Sequence, residues 1–92
     1  MNVLDQIRSD NCDEVELLEY ITDNNIEIAI AVAESKLATE PILDIAAMDN
    51  DRNVRYAALN NPNIGKRTLE KLTSDTDVEI AKKASELLGG NI

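Results

Sequence analysis

Apolar residues recur along this chain in short runs at helical spacing, each closed by a cluster of Asn, Asp, Pro or Gly. No run keeps the sustained alternation of a half-buried strand. Between Asp13 and Asp23, Val15, Leu18 and Ile21 lie three apart with Leu17 beside them, which predicts one apolar stripe on a helix opened by Asn11 and Glu14 as a capping pair. Asn24-Asn25 then reads as a turn that tolerates left-handed backbone. The run IEIAIAVA over 26–33 is apolar nearly all round, where period alone does not separate a buried strand from a buried helix. Its alanines and its neighbours favour helix.

Further along, Thr39 suits the N-cap of a helix beginning Glu40-Pro41, since proline is tolerated in a first turn, and Ile42, Leu43, Ile45 and Ala46 give that helix an apolar face. Asp51 or Asn53 caps a short helix through Val54, Ala57, Ala58 and Leu59 that Asn60-Asn61-Pro62 stops. Another helix carries Leu69 and Leu72. Thr76 with Glu79 makes a capping box for a last helix through Val78, Ile80, Ala81, Ala84, Leu87 and Leu88, which Gly89-Gly90 terminates and residues 89–92 follow as a frayed tail. These elements predict a single all-α domain of about six or seven short helices.

Leu43, Ala46, Asp49 and Asp51 correspond to Leu69, Leu72, Asp75 and Asp77 at one fixed offset, and such self-similarity signals stacked helical units. Beyond those acids the register reads as tightening by two positions, pairing Val54 and Ala57 with Val78 and Ala81. Ile26 and Ala29 precede Val54 and Ala57 as their counterparts in an earlier unit. The unit is helix, acidic corner, helix, polar turn. The stretch Val54-Arg55-Tyr56-Ala57-Ala58-Leu59-Asn60-Asn61-Pro62-Asn63, followed by Leu69, Leu72, Asp75, Asp77 and Val78, resembles the leucine-rich repeat variant family, a helical solenoid branch neighbouring the HEAT repeats. The pattern departs from that family at Ile64-Gly65, at Glu79 and at Ser35-Lys36-Leu37. The resemblance covers residues 26–88 and leaves 1–25 as an N-terminal cap or degenerate repeat. It implies a right-handed α-α superhelix presenting surfaces for protein contact, with no catalytic centre to carry over.

Charge sharpens the expectation. Residues 1–50 hold twelve acids against Arg8 and Lys36, −10, while residues 51–92 hold six acids against seven bases, +1. Such a balance opposes direct nucleic-acid binding by phosphate neutralisation and suits a basic protein surface. With 92 residues, no histidine and the single cysteine Cys12, the chain has no material for a His-based acid/base pair, a disulfide within the chain or a cysteine zinc cluster, so the reading is of a non-enzyme without cofactor or metal. Asp49-Asn50-Asp51 begins like a calcium loop, but Val54 stands where its glycine belongs and Asn60 where its glutamate belongs. Cys12, between Asn11 and Asp13, reads as a small packing residue in a cytoplasmic protein. The start of the chain lacks the basic and apolar regions of a signal peptide, and no segment is long enough to span a membrane.

The expected function is a protein-binding adaptor or regulator. Its candidate contact residues are Asp13, Glu16, Glu19, Asp23 and Glu27, whose carboxylates create a common field, with Tyr20 beside them and Arg55 with Tyr56 near the Asn-Pro-Asn turn. Besides an accessory role in a lyase or assembly system, as some helical-repeat relatives have, two alternatives accompany it. One is salt-sensitive self-association, in which the acids meet Arg52, Arg55, Lys66, Arg67, Lys71, Lys82 and Lys83 of a second copy. The other is nucleic-acid mimicry, in which a mobile-element-encoded acidic protein inhibits a DNA- or RNA-binding enzyme.

Overall fold

Side chains of Asn2, Asp13, Asn25, Asp51 and Asp77 each accept a backbone N–H at the start of a helix. The computed structural model describes residues 2–89, and all regular structure among them is helical: α1 (Val3–Arg8), α2 (Glu14–Ile21), α3 (Ile26–Glu34), α4 (Glu40–Ala46), α5 (Arg52–Leu59), α6 (Lys66–Leu72) and α7 (Val78–Leu87). The all-α class and the expected number of short helices both hold. No helix among the described residues is long and apolar enough to cross a membrane. Of the expected frayed tail, residues 90–92 lie outside the described range.

The caps correct several expectations. α2 is opened by Asp13, whose carboxylate accepts from the Glu16 N–H at 2.9 Å while Glu16 accepts from the Asp13 N–H at 3.0 Å; the capping box therefore sits two positions beyond Asn11 and Glu14. α7 is capped by Asp77, which accepts from the Ile80 N–H at 3.1 Å, and not by Thr76. Thr39 holds the expected N-cap position, yet its hydroxyl donates to Glu14 Oε2 at 2.7 Å instead of capping. Asn25 is itself the N-cap of α3, in extended backbone. Among the described residues, those in the left-handed region are Asp10, at φ 59°, and Gly89, at φ 76°. Asp10 closes α1 as a Schellman turn, its N–H bonding Ile7 O and that of Asn11 bonding Gln6 O.

N-caps at Asp13, Thr39 and Gly65, and again at Asn25, Asp51 and Asp77, recur with one constant period. The register does not tighten after the acids, and Ile28 and Ala31, rather than Ile26 and Ala29, are the counterparts of Val54 and Ala57. Val78 is 81% exposed, and Ile80, which stands one full period after Val54, takes the core place at 0%. Likewise Val32, Ala58 and Ala84 are equivalent and fully buried. The recurrence also reaches back to Asp13, so that Leu17, Leu43 and Leu69 are equivalent buried leucines and α1 alone precedes it. On α2 the buried face is Leu17 and Ile21 with Leu18 half-buried, whereas Val15, expected in the stripe, is 65% exposed.

Helices two apart in the chain pack side by side. α2, α4 and α6 make one row, and α1, α3, α5 and α7 make the other. The body measures 46 × 20 × 16 Å. One core cluster runs from Ile7 through α2–α4 to Ala58, and a second gathers Ala47, Leu59, Leu69, Leu72, Ile80 and Ala84. Polar turns lock the units together. Asn61, almost wholly buried, donates both amide hydrogens at 2.8 Å, to Ala33 O and Ser35 O at the end of α3. Asn63 donates to Lys36 O and Ala38 O. The Asn-Pro-Asn turn thus satisfies the orphan carbonyls of the preceding unit. Ser35, which replaces the first Asn in that unit, makes the same local turn by accepting from the Leu37 N–H.

Candidate interaction surface

The acidic residues singled out by the sequence fall into distinct environments. Asp13 and Glu16 form the α2 capping box, and Glu16 also accepts from Gln6 Nε2 at 3.1 Å, tying α2 to α1. Glu19 and Glu27 are exposed, on α2 and in the first turn of α3. Asp23 stands at the α2–α3 corner, where it accepts from the Asn25 N–H at 2.8 Å. Tyr20 is half-buried against the core, and its phenol is held above its ordinary pKa by burial, then by the charge of Glu16. Cys12 is buried, and that burial, reinforced by Glu16 and Asp13, pushes its thiol up from its ordinary value.

Arg55 and Tyr56 belong to a different region. Arg55 reaches from α5 into the corner between α6 and α7, where its Nε donates to Asp75 Oδ2 at 2.8 Å and its Nη2 to Asp75 Oδ1 at 3.2 Å. Its Nη1 donates back to Asp49 O at 2.9 Å and Asn50 O at 3.0 Å. The two side chains are only 14% and 6% exposed, so the guanidinium is a clamp between consecutive corners. Arg52 makes a second link, to Asp77 at 2.9 Å and Glu79 at 2.8 Å. That hydrogen bond from Arg52, followed by the Ile80 N–H, holds the Asp77 carboxyl below its ordinary range. Tyr56 lies between two cations, Arg52 and Lys83, each 5.2 Å from its ring centroid.

Between the α2–α3 corner and the α4–α5 corner lies an open groove of about 680 Å³. Ile26, Ala29, Ile45 and Met48 supply its apolar part, and Asp23, Asp49 and Asp51 its acidic part. Met48 is 73% exposed, and Ile26 and Ile45 are also exposed. Of the expected contact residues, only Asp23 lines this groove. Asp13 and Glu16 are taken by capping, Arg55 by its clamp and Tyr20 by packing, while Glu19 and Glu27 face solvent away from the groove. The signal that identifies the groove is present in the sequence as the equivalence of Asp23, Asp49 and Asp75 in successive units, read together with what replaces Arg52 and Arg55 one unit earlier: Ile26 and Ala29. Comparison with protein-family models, with curated proteins and with solved structures returned no match.

Proposed function

We propose that this chain is a non-enzymatic protein-binding domain, an adaptor or regulator whose acidic N-terminal half receives a basic protein surface. We further propose that its two rows of helices form a short superhelical stack of the leucine-rich repeat variant and HEAT-like kind. The observation that carries the functional reading is where the ion pairs lie. Arg52 and Arg55 are engaged by Asp75, Asp77 and Glu79 of their own half, and Lys71 approaches Asp44 at 3.9 Å. In the N-terminal half, Lys36 pairs with Asp10 at 3.2 Å. Internal pairing therefore offsets Asp75, Asp77 and Glu79, while the first corner keeps Glu19, Asp23 and Glu27 exposed to solvent. A surface field of one sign steers an oppositely charged partner and weakens with salt.

The test is an affinity capture from source-cell lysate at low and high salt, with a Glu19→Lys, Glu27→Lys double variant beside the wild type. Those two positions leave the α2 capping box intact, whereas reversal of Asp13 or Glu16 would unfold the start of α2. A partner lost from the variant and at high salt is the expected result. An equal catch from both proteins contradicts the reading, and a catch displaced by duplex DNA would point to nucleic-acid mimicry instead.

A further inference from the structure

The molecule contains a template for what its groove binds. Between the α4–α5 and α6–α7 corners, the Arg55 guanidinium is held by one carboxylate, Asp75, and by the carbonyls of Asp49 and Asn50. Moved back by one repeat unit, the same constellation is the carboxylate of Asp49 and the carbonyls of Asp23 and Asn24. All three residues line the groove. Asp49 is prepared in the same way as Asp75: each uses Oδ1 to accept, at 2.8 Å, from the N–H two positions on. The residue that would supply the guanidinium, at the position equivalent to Arg55, is Ala29, whose methyl group reaches none of these acceptors. Arg52 likewise has Ile26 as its equivalent, leaving Asp51 without the counterpart of the Arg52–Asp77 pair.

We propose that this groove is a receptor for an arginine side chain of a protein partner, its guanidinium taking the place that Arg55 fills one unit later. This rests on the protein-binding function proposed above and specifies its chemistry. Arginine is favoured over lysine because a planar fork can engage a carboxylate with two bonds and still turn a third donor to the carbonyls, which a compact ammonium does not reproduce. Exposed Ile26, Ile45 and Met48 flank the acids, so the partner segment carries an aliphatic residue next to its arginine. The groove's volume is within the range of small ligand sites, and its acidic wall complements the cation.

The test is an NMR titration of the isotope-labelled full chain with acetyl-Leu-Arg-Leu-amide and with its lysine counterpart. Amide shifts centred on Asp23, Ala29 and Asp49 are expected, with the lysine peptide at least roughly tenfold weaker. Asp49→Asn keeps the acceptor for the Asp51 N–H and an unchanged spectrum elsewhere, yet loses the arginine preference. Ala29→Arg supplies the guanidinium from within the chain and abolishes peptide binding. Equal binding of both peptides with shifts spread over Glu19 and Glu27, unchanged binding by Asp49→Asn, or no shift at millimolar peptide would each overturn the proposal. So would a concentration-dependent doubling of mass with the same shifts and no peptide, which would assign the groove to a second copy. A lysate partner retained by Asp49→Asn but lost on reversal of Glu19 and Glu27 would sink the groove alone and leave the broader reading standing.

Discussion

Arg55 joins two backbone corners through one side chain. Its removal strands a carboxylate, since Asp75 is 6% exposed and loses both of its guanidinium bonds, and it also leaves the carbonyls of Asp49 and Asn50 without those donors. Breaking a buried pair from one side costs about 3 kcal/mol, because the remaining carboxylate keeps only the Asp77 N–H against its desolvation. Arg55→Ala is therefore expected to lower the unfolding free energy by about that amount in chemical denaturation. Arg52→Ala, at a more exposed pair, should lose clearly less; equal losses would mean that Arg55 is not a clamp. At this scale the sequence is legible in kind and blurred in position. That Asp, Asn and Thr cluster at helix starts is readable, but Asn11 and Asp13, or Thr76 and Asp77, are chemically equivalent candidates on paper. The choice between them depends on which residue adopts extended backbone just ahead of the first turn, and that is settled by how the helix docks.

At the level of the element, the constant period assigns core positions more firmly than local hydrophobicity does. Val78 opens α7 with an apolar side chain that points to solvent, while Ile80 is wholly buried with Leu69, Leu72 and Ala84 around it. Ile80→Ala should cost about 3 kcal/mol by leaving a cavity. Val78→Ala should stay within about 0.5 kcal/mol, and the reverse order in thermal denaturation would restore the tightened register. The helices themselves are legible from their apolar spacing and breakers, including α3, where period alone does not separate helix from strand over 26–33 but the alanines and neighbouring pattern favour helix. α1 is not, because Val3, Leu4 and Ile7 make a stripe too short to register before α3 packs against it. The capping box of α2 hides the first unit in a similar way: aligning Leu17 with Leu43 requires knowing that Asp13 and Thr39 are equivalent N-caps.

For the whole molecule, the repeat distributes charge unevenly over equivalent places. The second corner carries its own cations in Arg52 and Arg55, and the first carries Ile26 and Ala29 at those positions. The charge imbalance of the two halves is evident from composition, and it is the reason the acidic half is proposed as the contact surface. It does not separate carboxylates that cap helices from those that face a groove, since spacing along one helix is blind to the neighbouring corner that brings Asp49 and Asp51 opposite Asp23. Hydrogen-exchange mass spectrometry of the chain with and without its captured partner tests the acidic-surface account most directly. Slowed exchange is predicted over residues 21–29 and 45–51, with residues 66–72 and 82–87 unchanged; protection confined to the latter segments would contradict it.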